Sequence, residues 1–314
     1  MVLFFTVLVN GQLVLPQLVD NSSSFSHIDA RSYLRIHYDN DLFTNTDHYY
    51  TQGIAVEWVH PVFQKSLLHK LLLTTKDSSA QYGAGFNLFG YTPTSISNDE
   101  ILYGDRPFEG NMSLKLFAIS TNKKRDLRLA SALHLGVIGP AALGEEIQTN
   151  IHRWTGNKLP KGWQHQVRND LILDYQLNTE KKWISSKAFI LNGMAAIRAG
   201  TLNDKLAAGI NFMTGQFNDP FERQQKKKTA FFLFGQSQVN LIGYDATMQG
   251  GLFNHKSPYT ISSADISRVT IQASAGIVLN IQKLWFRYSQ SFITKEFRTG
   301  GNHRWGGLAA GLSF

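Results

Sequence analysis

The side chains able to do chemistry fall into three groups far apart in the chain: Asp39-Asn40-Asp41 followed by Thr51, Gly104-Asp105-Arg106-Pro107, and Gln148 with His152. There is no cysteine among the 314 residues, which removes thiolate metal sites, cysteine nucleophiles and disulfide frameworks in one step. Any reaction must therefore use oxygen and imidazole. His152 suits a general base that takes a proton from water, and equally an ordinary surface histidine; His37, His48 and His134 carry only the ordinary reading. Asp39 to Asp41 reads either as part of a site or as a polar loop entry. Its faint likeness to a calcium-loop start fails, because Phe43 occupies a ligand position and the required glycine is missing. No GxSxG elbow, HExxH pair or phosphate-binding glycine loop is present.

The elements that hold these groups follow from composition and period. Only 17% of residues are charged, against about a quarter in soluble domains, while 21 Phe, 11 Tyr, 6 Trp and 26 Gly favour strands and tight turns. No run of about 18 apolar residues exists, so a helical span is excluded. Alternation recurs instead. Leu34, Ile36 and Tyr38 oppose Arg35, His37 and Asp39; Leu171, Leu173, Tyr175 and Leu177 oppose Asp170, Asp174 and Gln176; and Val269 to Leu279 alternates with Thr270, Gln272 and Ser274. A β-sandwich alternates too, so the pattern alone leaves two architectures open.

Segment number and length favour one of them. Twelve alternating segments lie near 31–40, 52–60, 80–90, 111–121, 126–139, 169–179, 183–199, 205–215, 229–244, 265–280, 282–294 and 303–314. Most exceed the usual sandwich strand and are long enough to cross a bilayer at a tilt. The last ends at Phe314, a terminal aromatic like the assembly signal of bacterial outer-membrane barrels. The expected fold is all-β: a twelve-stranded antiparallel transmembrane β-barrel over 31–314 with a short amphipathic helix in an extracellular loop. Residues 1–30 read as a signal segment, with Val2 to Val9 as its apolar core, followed by a polar linker at Asp20 to Ser26.

In such a barrel every odd-to-even connection is extracellular, which brings the three polar groups to one rim. Thr121 to Arg125 and Thr179 to Lys182 are expected as short periplasmic turns, while Pro61 to Ser79 and Gly215 to Lys228 are longer. Leu67, Leu68, Leu71 and Leu72 suggest a short periplasmic helix in the first of these. In the third outer loop, Ile147, Ile151 and Trp154 form an apolar helical stripe beside Gln148 and His152, expected to lie on the barrel wall at the lipid surface. Asn40 continues the lipid-facing series of Leu34, Ile36 and Tyr38, where a polar amide is costly unless used or capped. The net charge of +8 suits nucleic acid, anionic lipid or phosphorylated glycolipid alike. Lys226 to Lys228 reads as a solvated turn, so no nucleic-acid partner is expected.

Five blocks carry a resemblance: NDLFTNTDHYYTQGI (Asn40 to Ile54), GDRPFEG (Gly104 to Gly110), LGVIGPAALGEEIQTNIHRWTG (Leu135 to Gly156), PKGWQHQ (Pro160 to Gln166) and TKEFRTG (Thr294 to Gly300). In this order they resemble the outer-membrane lipid A 3'-O-deacylase family, LpxR-type. The resemblance implies a twelve-stranded barrel with a calcium-dependent site between its wall and an outer-loop helix. It implies His152 as the base, acting with Asn40, Thr51 and Gln148; Asp41 and Asn40 as calcium ligands; and Asp105 and Arg106 toward the substrate. The implied substrate is the 3'-acyl ester of lipid A in lipopolysaccharide, in the bacterial outer membrane, handled by a monomer. One departure is visible: a lysine that the family pattern places near the second outer loop has no counterpart in TPTSISNDE (Thr92 to Glu100). The rival readings are a non-enzymatic barrel, either a pore or an inactive relative, and a phospholipase-type acyl hydrolase.

Overall fold

A computed structural model describes residues 21–41, 49–222 and 227–314. Its strands are β1 (Tyr33–Asn40), β2 (Tyr49–Val59), β3 (Ser79–Thr92), β4 (Glu109–Asn122), β5 (Leu127–Ile138), β6 (Asp170–Ser185), β7 (Phe189–Gly200), β8 (Asn203–Gln216), β9 (Thr229–Asp245), β10 (Val269–Ile281), β11 (Leu284–Ile293) and β12 (His303–Ser313). All pair antiparallel with their sequence neighbours, and β1 closes on β12 through Tyr33 opposite Ser313 and Asn40 opposite Gly306. No described helix is long and apolar enough to cross a membrane.

Alternation translates into an inverted burial pattern. In β1 the apolar Leu34 and Ile36 are exposed, while Arg35, His37 and Asp39 are buried inside. In β10 Val269 is exposed, and Thr270, Gln272 and Ser274 are buried. A water-soluble sandwich would bury the opposite set, so the burial selects a barrel whose outer face meets lipid. Several interior charges are paired: Arg35 with Glu57 at 2.5 Å, Arg198 with Asp174 at 2.6 Å, His37 with Asp39 at 2.7 Å, and Lys115 with Glu57.

The stretch expected as a polar linker is instead a plug. Residues 21–30 turn back into the lumen, where Phe25 stacks on Phe234 at 4.2 Å. The Ser24 N–H donates to Glu180 at 2.9 Å, the Arg35 guanidinium to the Ser26 and Asn21 carbonyls at 2.7 and 2.9 Å, and the Gln81 amide to the Ala30 carbonyl at 2.7 Å. Small polar residues are selected here because buried charges on the barrel wall need hydrogen-bond partners, and a serine-rich segment supplies them within little volume. Residues 1–20, including the apolar Val2 to Val9, lie outside the described residues.

Two turns also differ from expectation. Thr179 to Lys182 is strand, not turn: β6 continues through a bulge between Lys182 and Ile184, and the chain reverses at 186–188. Lys182 holds this extension by ion pairs to Asp126 at 2.9 Å and Asp219 at 3.0 Å in neighbouring turns. Between β2 and β3 the leucine repeat forms two 3₁₀ turns, Pro61–Lys65 and Leu67–Leu71, in place of one helix. The outer loops carry the expected helix, α1 (Gly144–Thr155), and a four-residue one, α2 (Ala246–Gln249).

The cysteine-free chain makes this topology easy to test. A maleimide reagent that cannot cross the outer membrane is expected to label Thr155→Cys in intact cells, and Lys187→Cys only after permeabilisation; the reverse order would invert the barrel.

Candidate active site

Asn40 ends β1 on the outer face, as its parity requires. Its Nδ2 donates to the Tyr38 hydroxyl at 3.0 Å and to the Thr51 carbonyl at 2.9 Å. Across from it, β2 contains a bulge between Tyr50 and Gln52. Tyr50 stays in the lumen against Tyr91 and Trp305, Gln52 pairs with Asn40, and the extra residue Thr51 is re-aimed. Its hydroxyl meets that of Thr92 in β3 at 2.7 Å, and both residues are buried. Asp41, directly after β1, is buried as well. Four oxygen-bearing residues thus share the rim of β1 to β3, whereas Asp39 faces inward to His37.

Helix α1 borders this region on the β3 side. It packs on β3 and β4, and at its start a Cβ added to Gly110 of β4 would lie 3.1 Å from the Gly144 Cα. Glycine at both positions lets helix and wall approach closely. Gly139, at φ 96°, turns the chain into the loop and donates its N–H to the Gly110 carbonyl at 2.7 Å; Gly156, at φ 72°, ends the helix. Residues Gly144, Gln148 and His152, spaced four apart, form the buried stripe. Of the apolar stripe expected against the wall, Ile147 and Ile151 are half-buried beside it, while Trp154 is 89% exposed. The polar stripe is the buried one, and the tryptophan is left outside, where its indole suits a membrane interface.

Two contacts orient the buried stripe. His152 Nδ1 lies 2.5 Å from the Lys158 carbonyl oxygen. A carbonyl can only accept, so Nδ1 carries the proton and the lone pair sits on Nε2. Trp163 Nε1 donates to Gln148 Oε1 at 2.7 Å, which leaves the buried Gln148 Nε2 as a donor without a partner among the described residues. Trp163 is fixed in turn against Phe108 at 5.1 Å. Neither Thr92, Trp163 nor the Lys158 carbonyl is singled out by sequence reasoning; the tryptophan of PKGWQHQ was the available signal.

Asp105 and Arg106 have other partners. The Asp105 carboxylate accepts from the Thr94 N–H at 2.8 Å and the Thr94 hydroxyl at 2.5 Å, closing a loop turn. Arg106 points into the lumen mouth, where it donates to Glu296 and to the Thr247 hydroxyl, both at 2.6 Å, and lies 4.0 Å above the Tyr91 ring. Its charge is therefore engaged in closing the barrel.

The oxygens at the rim fit a hard cation by chemistry: one buried carboxylate, Asp41, beside amide, hydroxyl and carbonyl groups. No cluster of three or more His, Cys, Asp or Glu is present among the described residues, so such an ion would lean on neutral oxygens. Asp47, the other carboxylate of this stretch, lies outside the described residues.

At the mouth, burial holds the Glu296 carboxyl up at about 7; Arg106 opposes the rise without cancelling it, and Asp245 adds to it. The folded chain then keeps a proton that the unfolded chain releases above the ordinary value of 4.5. Stability from this group is complete below 4.5 and is lost as pH rises through about 7. The thermal midpoint of the detergent-solubilised barrel, at fixed scan rate, is expected to fall across that window. Glu296→Gln should flatten the profile, and an unchanged slope in the variant would remove Glu296 as its source.

Known proteins agree with this architecture. The sequence profile of the family described as Outer membrane protein LpxR matches residues 3–314. Among solved structures, LpxR from Salmonella typhimurium superposes with a TM-score of 0.74 at 21% identity, covering 90% of this chain and 100% of that one. The beta domain of the Bordetella autotransporter BrkA gives a TM-score of 0.48 at 8% identity over 91% of this chain and 100% of that one. No curated protein matches. With the family profile running over nearly its whole length and a closed twelve-stranded barrel to match, this chain belongs to the LpxR family of lipid A-modifying hydrolases of the bacterial outer membrane.

Proposed function

We propose that the chain is a calcium-dependent esterase that hydrolyses the 3'-O-linked acyl group of lipid A at the outer rim, between the β1 to β3 wall and α1. The observation that carries this reading is His152. It sits on the buried stripe of α1 with Nδ1 committed to a backbone carbonyl at 2.5 Å, leaving Nε2 as a base.

Nε2 takes a proton from water as the water oxygen bonds to the ester carbonyl carbon. The unpartnered Gln148 Nε2 donates to the oxygen that gains negative charge. As the tetrahedral species collapses, the bond to the sugar oxygen breaks and the proton on His152 passes to it, giving a free fatty acid and a 3'-hydroxyl. Asp41, Asn40 and Thr51 would hold calcium, which when bound supplies a positive charge that polarises the ester carbonyl. No covalent nucleophile is required. The location outside the wall lets an acyl chain reach the site without leaving its leaflet.

The resemblance carries a second-loop lysine that Thr92 to Glu100 lacks, and we assign its role to Lys161. Its backbone N–H donates to the Ile96 carbonyl of that loop at 2.9 Å, and the residue is exposed. Against the pore reading stand residues 21–30, which occupy the periplasmic end of the lumen, and the bonds of Arg106 to Glu296 and Thr247 at its outer mouth.

His152→Gln is expected to lower deacylation by about 10²–10⁴-fold with assembly intact. Purified protein and mass spectrometry of lipid A give the readout, and retained activity would return His152 to a surface histidine. Asp41→Ala should lose calcium-dependent activity; Asp41→Asn, which keeps the shape at lower charge, should recover part of it at raised calcium. Full activity of the unaltered protein in chelator would take the metal out of the reaction. Fatty acid released from glycerophospholipid but not lipid A would favour the phospholipase reading.

A further inference from the structure

The connection between β2 and β3 lies at the end of the barrel opposite the candidate site, and it is more than a long turn. Residues 61–76 fold back along the outside of the wall. Tyr175, on the lipid-facing series of β6, donates its hydroxyl to the Leu71 carbonyl at 2.7 Å and accepts from the Leu73 N–H at 3.2 Å. The Ser131 hydroxyl donates to the Leu73 carbonyl at 2.9 Å, the Thr75 N–H to the Ser120 hydroxyl at 3.0 Å, and the Asn122 amide to the Lys76 carbonyl at 2.7 Å. Phe63 packs edge-on against Trp58 at 5.1 Å, and His69 against Tyr82 at 6.0 Å. Tyr82, Ser120, Ser131 and Tyr175 all belong to the outward parity of their strands. Ala118, Ser120 and Ser131 are buried although their strands carry exposed leucines further along the same face, such as Leu114 at 66%.

The segment is thus a strap across the outer face of β3 to β6, and its own outer surface is divided by chemistry. Leu72 tucks inward, while Val62, Leu67, Leu68, Leu71 and Leu73 face away from the protein, Leu67 at 78% exposure. Lys65, Lys70 and Lys76 are exposed and make no ion pair with any described residue. Asp77 is the sole acidic residue between His60 and Ser78. Backbone groups at membrane depth must find partners in the protein, and the outward hydroxyls and amide of the wall meet that need for the strap. A flat segment with outward leucines and flanking lysines is the chemistry of an interfacial element that inserts into a leaflet and pairs with anionic headgroups.

We propose that residues 61–76 form a binding surface for anionic phospholipid of the periplasmic leaflet, with the leucines among acyl chains and Lys65 and Lys70 on headgroup phosphate. The reading is independent of the esterase: it concerns the opposite leaflet and none of the residues at the outer rim.

The test uses the full chain reconstituted in vesicles of phosphatidylethanolamine and phosphatidylglycerol. Leu67→Cys carrying an environment-sensitive fluorophore is expected to be quenched by lipids brominated on the acyl chain as strongly as a label at Leu114→Cys in the barrel belt. A label at Lys187→Cys in a periplasmic turn should stay unquenched. In native mass spectrometry, the Lys65→Gln and Lys70→Gln pair should lower the preference for retained phosphatidylglycerol by about fivefold per lysine. Heat-modifiable gel mobility confirms that the variants are folded. An unquenched label at position 67 in pure vesicles would mean that the strap faces water or a periplasmic protein, and would overturn the proposal. Unchanged lipid preference in the folded double variant would overturn it equally.

Discussion

A barrel wall in a membrane must be apolar outside, and a polar residue there has to be covered or used. That constraint organises both ends of this molecule. At the outer rim Asn40 continues an otherwise apolar series, and the bulge at Thr51 brings a second polar side chain to Thr92 on the same wall. Helix α1 borders the region on β3 and β4 and turns its polar stripe inward, leaving Trp154 outside. At the other end Ser120, Ser131 and Tyr175 interrupt the apolar belt, and the strap over 61–76 engages all three. The lumen obeys the complementary rule. Many of its charges are buried, and they are paired with one another or satisfied by the N-terminal plug.

The catalytic proposal gains from the same geometry. A water-filled rim would leave an ester and a base competing with bulk solvent, whereas a site pressed between wall and helix is shielded on two sides. The orienting contacts are backbone and indole groups with fixed protonation: the Lys158 carbonyl selects the tautomer of His152, and the Trp163 N–H selects the face of Gln148. Their roles do not depend on titration.

Much of the barrel was legible in the sequence because lipid imposes a strict period of two on every strand. Ten of the expected segments coincide with strands to within a few residues at both ends, and β6 and β7 differ where charge pairs at Lys182 extend a strand past its apolar series. The plug was not legible, since Ser22 to Ser26 has the composition of a linker and only the buried charges facing it give it a place. Helix α1 was visible as an amphipath, but its rotation was not. Hydrophobicity says which stripe differs, and only the contacts to β3, β4 and Trp163 say which stripe is covered. The placement of Asn40 followed from parity, whereas Thr51 depends on a one-residue bulge without a sequence signature. The partner that Arg106 finds in the fold, Glu296, lies 190 residues away and has no signal in the sequence.

The central claim is that the rim under α1 removes the 3'-linked acyl group of lipid A. Mass spectrometry of lipid A from a Gram-negative host expressing the intact chain tests it most directly. The account predicts a lipid A species lighter by the 3'-linked acyl group, with the 2-position and the phosphates untouched. Unaltered lipid A in cells whose outer membrane holds the folded barrel, with calcium present, would contradict it.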